Sequence, residues 1–259
     1  MRGTAVADRI DVSIDDLVPL RRDGAVCVLT MTYPERRNAF SSAMRRALLD
    51  RFDHLMHNDP ECRAIVLTGA AGSFCAGGDL SEMKERPVIL ARQVFEVPRD
   101  LVRTMVCGPK PIVAAVEGVA FGAGLSLVCA CDHVVAATDG RFCAAFLKVG
   151  LLPDTGILWT LPRRVGFAKA RELMLFASEI DGMAAQELGL ADLAVPPGAA
   201  VSEALKVAHA FAALPAAAVA CLKNALGEAG DSPDEAMRVE IDHRAALHCL
   251  APVSAKERS

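Results

Sequence analysis

Apolar positions along this chain fall into two alternating rhythms. Residues 25–32 form a short run rich in β-branched side chains, the pattern of a strand buried on both faces. After a loop over residues 33–38, Met44, Leu48, Phe52, Leu55 and Met56 recur at helical spacing from Ser41 onward, until Asn58-Asp59-Pro60 ends the helix. Residues 63–69 read as the next strand, 111–116 as a third and 133–137 as a fourth, with a helix opening at Gly122-Ala123-Gly124 and running through Cys131. Strands alternating with helical segments predict an α/β core whose crossovers carry the helices.

Beyond about Gly166 the strand signal nearly vanishes. Helical spacing appears at 169–177, 184–188, 203–213, 216–226 and 234–250, punctuated by Gly182, Gly189, Pro196-Pro197, Pro215 and Pro233. The expected organisation is an α/β core over residues 1–195 followed by a helical region over 196–259. The first twenty residues are weakly patterned and suit an edge strand or a loose arm. Residues 111–137 are apolar enough to resemble a membrane span, but Glu117, Asp132, His133 and several glycines interrupt them, so a buried strand–turn–helix–strand unit fits better.

Composition narrows the class. Hydrophobic residues make up 53% and aromatics only 5%, so the core must be built from Ala, Val, Leu and Ile, and part of the apolar surplus is expected between subunits. A net charge of −4 gives no electrostatic reason for a nucleic-acid or acidic-membrane partner. The nine cysteines include no CxxC pair, and the first eight residues lack the apolar segment of a secretory signal. Reduced, mostly buried thiols in a cytoplasmic protein are the expected state.

Candidate chemistry lies in two runs of small residues, 74–80 and 117–124, each placed just after a strand-like segment. Small side chains leave backbone N–H groups uncovered, and two segments can offer one N–H each to a single oxyanion. Asp79 followed by Glu82 reads as a capping box, which would put the N–H near Gly78 at the positive end of a helix; an ordinary glycine turn is the alternative. Pro153-Asp154-Thr155-Gly156 reads as a helix start with Asp154 as N-cap. His54 and His57, with Asp53 and Asp59, fall opposite the apolar stripe of their helix and suit a solvated face rather than a metal site. His243 and His248 read as structural or interfacial. Arg36, Arg37, Arg45 and Arg46 form a basic group suited either to solvent or to phosphates.

In their order along the chain, Asn38-Ala39-Phe40, residues 64–69, 74–80, 117–124 with Cys131-Asp132, and 149–154 through 161–166 resemble the crotonase (enoyl-CoA hydratase/isomerase) superfamily. The resemblance covers roughly residues 20–250. It implies a spiral of β-β-α turns, a C-terminal helical trimerisation region, a homotrimer or a dimer of trimers, and acyl-CoA thioester substrates. Coenzyme A then arrives as part of the substrate, with no separate cofactor and no metal. By the same resemblance the N–H groups of Gly78 and Ala123 stabilise a thioester enolate. Arg37, Ala39, Ala76, Gly77, Asp79, Leu80, Gly122, Ser126 and Phe146 line the substrate, the chain around Arg37 and Ala39 lying along the adenine end, and Lys223 is a weaker phosphate candidate.

The chain departs from the family's hydratases at the two glutamates that activate water. Ser126 and Phe146 stand at those positions, and neither can act as a carboxylate base, although Ser126 could hold a water. Asp154 matches the site at which several family isomerases carry a catalytic acid, so the resemblance implies double-bond isomerisation through Asp154. Hydration by other groups and a silent acyl-CoA-binding scaffold are the alternatives. Nucleophilic use of Asp154, as in family dehalogenases, would need a histidine before the second glycine run, and none lies between His57 and His133. Residues 83–98 are expected to form a mobile flap over the acyl pocket, with Glu85, Glu96 or Glu117 as further acids.

Overall fold

The structure, a computed structural model, describes residues 13–85, 87–230 and 232–250, the side chains of Ala91 and Leu250 excepted. Helix α1 (Ile14–Leu17) leads into the antiparallel pair β1 (Leu20–Asp23) and β2 (Val26–Met31). Then come α2 (Ser42–Asp53), continued by a π-helical turn at His54–Asn58, β3 (Ala64–Gly69), α3 (Val88–Val94), α4 (Glu96–Cys107), β4 (Ile112–Val116) and β5 (Val119–Phe121). They are followed by α5 (Ala123–Cys129), β6 (His133–Ala137), β7 (Arg141–Cys143), α6 (Ile157–Val165), α7 (Phe167–Phe176), β8 (Ile180–Asp181), α8 (Gly182–Glu187) and β9 (Leu193–Val195). Three helices complete the described chain: α9 (Ala200–Ala212), α10 (Ala216–Glu228) and α11 (Pro233–Leu250).

Six strands pair in the order β1-β2-β3-β4-β6-β9, and every pairing after the first is parallel. The period-two pleat divides their side chains between two cores. Cys27, Leu29, Ile65, Leu67, Ile112 and Ala114 point to one face and meet α2 through Met44, Leu48 and Phe52. Val26, Val28, Val66, Val113 and Val135 point to the other and meet α9. Burial on both faces is why these strands appear in the sequence as continuous apolar runs rather than alternating ones. Along α9, Ala200, Ala204 and Ala208 recur every fourth residue, are fully buried, and form a seam of methyl groups that lets the helix lie close to the sheet.

A second, smaller sheet, β5-β7-β8, is extended by isolated bridges at Cys75–Ala120 and Phe40–Gly78. Successive turns of the chain thus add one strand to the large sheet and a short extended piece to the small one, which is the expected spiral of β-β-α turns. The four long strands and the C-terminal helices lie where the sequence places them, with ends shifted by up to three residues. The pattern did not disclose β8 and β9, of two and three residues, beyond Gly166. Residues 83–98, expected as a flap, carry α3 and the first turn of α4. Of the expected arm, residues 1–12 lie outside the described residues, and β1 is the edge strand.

Asn38 joins the early turns. Its side chain is fully buried, accepts from the Tyr33 N–H (2.8 Å), and donates to the carbonyls of Ala70 (2.9 Å) and Ser73 (2.6 Å). Its φ of 57° is a left-handed conformation that Asn tolerates better than most residues. Asn38→Ala strands three backbone groups and is expected to destabilise the fold by about 3 kcal/mol. Urea denaturation checks this; a loss below about 1 kcal/mol would show that water or a shifted loop replaces those bonds.

Candidate active site

The small sheet uses most of its backbone donors, and some of those at its two glycine-rich corners are left over. Phe74 N–H donates to the Glu117 carbonyl, Cys75 to Val119 and Ala76 to Arg37, while Phe40 N–H donates to Gly77. On the other strand Phe121 donates to Cys75 and Gly122 to Cys143. The next amides, Gly78 and Ala123, have no acceptor among the described residues. Ala123 is the first residue of α5, so its N–H has no partner within the helix.

Two glycines bring these corners together. A Cβ on Gly77, whose φ is 101°, would stand 2.9 Å from the Phe121 carbonyl oxygen and 3.8 Å from the Ala123 nitrogen. One on Gly124 would stand 2.3 Å from the Cys75 carbonyl oxygen. Side chains at either place would push the two segments apart. As they stand, the two corners approach closely, each with an amide left unpaired, and two such amides can hold a developing oxyanion where they converge.

The capping box expected at Asp79 is not formed. Only a single 3₁₀ turn, Leu80–Glu82, follows Asp79, so no helix dipole points at Gly78. Asp79 accepts from Ser81 N–H (3.0 Å) and Oγ (2.6 Å), and Glu82 turns away to accept from Ser42 N–H (2.8 Å) and Oγ (2.7 Å) at the start of α2. Ser42 offers two donors at once, which the Asp79 N–H cannot match.

Asp154 is not a helix cap either. Gly156, with φ 76°, precedes α6, and the Asp154 main-chain carbonyl, rather than its carboxylate, meets the Ile157 N–H at 3.3 Å. The carboxylate accepts one bond, from Thr155 Oγ1 (2.9 Å). Burial pushes its pKa above the ordinary carboxylate value, and the Thr155 bond and the charge of Arg45 only partly oppose this. Asp79 goes the other way, held down chiefly by the Ser81 hydroxyl. Of the two aspartates on the smaller cavity, Asp154 is therefore the one with the higher proton affinity. It sits where two cavities, of about 500 and 690 Å³, adjoin; both are also lined by Phe95.

The expected substrate-lining residues divide. Phe146 is buried beside the second corner, its ring edge 4.0 Å from where a Cβ on Gly122 would be. Arg37 and Leu80 are exposed, while Ala39, Gly77 and Asp79 are buried around the first corner and Ala76 is half-buried there. Ser126 is not placed to hold a water. It is fully buried, and its Oγ lies 3.0 Å from the Asp154 carbonyl oxygen, tying α5 to the loop that carries the aspartate.

Arg45 does not join the exposed Arg36, Arg37 and Arg46. Its Nε donates to the Phe40 carbonyl (3.0 Å), its guanidinium lies 5.2 Å from the centre of the Phe40 ring, and it lines the smaller cavity with Asp79 and Asp154. Lys223 is buried in an ion pair with Asp132, whose carboxylate also accepts the Ile112 N–H (2.7 Å), so it cannot reach a phosphate. Glu117 accepts from Gly198 (3.1 Å) and Ala200 (2.9 Å) at the start of α9 and is no acid of the acyl pocket. Glu85 is exposed; Glu96 lines the larger cavity and pairs with Arg99. His54 and His57 are exposed, and His243 pairs with Glu228.

Three cavity elements escaped the sequence reading: Phe95, Trp159 and helix α4. The spacing of Leu101, Val102 and Met105 is an available helical signal for α4. Trp159, five residues beyond Asp154, offers no such signal. Among the described residues no single helix is long and apolar enough to cross a membrane; only α9 with α10 passes by length and composition, as a pair bent by 107°.

Comparison with known proteins agrees with this geometry. The profile of the enoyl-CoA hydratase/isomerase family matches residues 21–257. A "Probable enoyl-CoA hydratase" of Rhodobacter capsulatus is 37% identical over 228 residues, covering 81% of this chain and 88% of that one. The 1,2-epoxyphenylacetyl-CoA isomerase of Escherichia coli is 34% identical over 224 residues, covering 85% of each. The crystal structure of an enoyl-CoA hydratase from Polaromonas sp. JS666 superposes with a TM-score of 0.82 at 35% identity, covering 88% of this chain and 90% of its own. With its spiral fold and its two unpaired amides, the chain belongs to the enoyl-CoA hydratase/isomerase family and is an acyl-CoA enzyme of the crotonase type.

Proposed function

We propose that the enzyme shifts the double bond of an enoyl-CoA thioester, with Asp154 as the proton carrier. The observation that carries this reading is the state of Asp154: a half-buried carboxyl with its pKa raised, lining two cavities, in a chain with two unpaired amides at close-packed corners and no glutamate at positions 126 and 146. The thioester oxygen accepts from the N–H groups of Gly78 and Ala123. The Asp154 carboxylate removes a proton from the carbon beside the carbonyl, and the electron pair moves onto that oxygen as an enolate. When the enolate collapses, Asp154 delivers a proton to the γ-carbon, and any exchange of its proton with solvent beforehand labels the product. No water enters the product, which suits a site whose usual water-activating positions hold Ser and Phe.

Coenzyme A enters with the substrate, so no separate cofactor is required, and its phosphates suit the exposed Arg36, Arg37 and Arg46. A homotrimer, or a pair of trimers, is part of the proposal. Phe167 at 72% and Phe176 at 74% exposure on α7 are apolar surface that a monomer would leave in water. Hydration by other groups is the second reading, favoured by the names of several relatives.

Deuterium exchange from solvent into the α- and γ-carbons of a bound enoyl-CoA tests the proposal. Asp154→Asn is expected to slow exchange about 10²- to 10⁴-fold; exchange that survives, or water added to a crotonyl thioester, would sink the isomerase reading. A Cβ on Gly78 would meet only Arg45 Nη2, at 4.0 Å, so Gly78→Val should fold while its branched side chain crowds the amide. Turnover is expected to fall about 10²- to 10³-fold with thermal stability little changed.

Asp154→Asn should also stabilise the protein in a pH-dependent way. Because folding raises the pKa of Asp154, the folded chain holds this proton more tightly than the unfolded one. Stability from this group is present below the ordinary carboxylate pKa and is lost as pH rises through the raised one. The variant should therefore melt higher than the parent near pH 7, with the gap closing toward about pH 4. Thermal melts across that range check it, and a gap of the opposite sign would refute the buried-carboxyl assignment.

A further inference from the structure

The larger cavity at Asp154, about 690 Å³, is more basic than a hydrocarbon chain requires. One wall is the start of α6, with Asp154, Gly156 and Trp159; the facing wall is the α3–α4 segment. A Cβ on Gly156 would stand 2.7 Å from Val102 Cγ1, so Asp154 lies level with the middle of α4. On that facing wall Arg92, Arg99 and Arg103 line the cavity among apolar neighbours such as Phe95 and Val102. Their spacing of seven and four residues puts them on one side of the segment.

Arg99 is already paired, with Glu96 and Asp100. Arg92 and Arg103 have no hydrogen-bond or ion-pair partner among the described residues. The lining sets three arginines against two carboxyls, Glu96 and Asp154, and Glu96 is taken up by Arg99, so neither Arg92 nor Arg103 has a carboxylate bound to it. A methyl-ended acyl chain gains nothing from them. A carboxylate gains charge-assisted, bidentate hydrogen bonds, strengthened where those walls lower the local dielectric.

We propose that this cavity takes acyl groups ending in a second carboxylate, which Arg92 and Arg103 bind. The proposal rests on the acyl-CoA reading of the Asp154 cleft, which holds the thioester end. Arg103, on α4 beside Val102, would meet a short diacid; Arg92, on α3 further along the wall, would meet a longer one.

Calorimetric binding to the full chain tests this with saturated thioesters, which have no double bond to move. The pairs are hexanoyl-CoA against adipoyl-CoA and decanoyl-CoA against sebacoyl-CoA. At low salt the carboxylate-ended member of at least one pair should bind about tenfold or more tightly, and Arg92→Gln/Arg103→Gln should cut that ratio about tenfold. Equal affinity within both pairs, preference for the methyl-ended members, or a ratio unmoved in the variant would overturn the proposal. Both arginines are exposed, and hexanoyl-CoA affinity reports whether the variant keeps its fold. Exchange that survives Asp154→Asn would remove the isomerase reading and leave this ratio as measured, so the two failures are distinguishable.

Discussion

Everything at this site depends on how closely two backbone corners approach. The small sheet is a ladder in which Phe74, Cys75, Ala76, Phe121 and Gly122 each donate an N–H to a neighbouring turn of the spiral. Where the ladder ends, the amides of Gly78 and Ala123 have no acceptor among the described residues. Gly77 and Gly124 make the close approach possible because a methyl group at either place would collide with the backbone of the other segment. These unpaired amides are a remainder of sheet formation, held by the same bonds that hold the fold. Preorganisation of this kind costs no reorganisation when charge develops.

The second determinant is the environment of a single carboxyl group. Asp79 and Asp154 are the same residue type on one site, yet their proton affinities are pushed in opposite directions. Asp79 accepts from the Ser81 hydroxyl and main chain, which outweigh its loss of water; at Asp154 the loss of water outweighs its one bond, from Thr155. Had Asp154 capped α6, as its place before the helix suggested, its carboxylate would have been stabilised and its pKa lowered. Gly156 takes the position before the helix, and the aspartate is left to the cavity.

Much of the fold was legible because its strands are buried on both faces and its helices on one. Runs such as Val26–Met31 and Ile112–Val116 then stand out without any alignment. The two glycine-rich corners were legible for a different reason: two runs of small residues, each placed after a strand, mark where backbone can approach backbone closely. What failed depended on contacts distant in sequence. The capping box at Asp79 gave way to a bond between Glu82 and Ser42, forty residues back, and Lys223 met Asp132 across ninety-one positions. Arg45 looked like one of four surface cations until the Phe40 carbonyl and ring drew it inward. No periodicity records such pairings.

One hydroxyl links the two halves of the site. Ser126 belongs to the helix that supplies one amide, and it grips the peptide oxygen of Asp154 instead of the acid itself. The acid can therefore change ionisation state without loosening that grip. The distance between α5 and the loop that carries Asp154 is thus fixed through main chain, whatever the charge on the carboxyl.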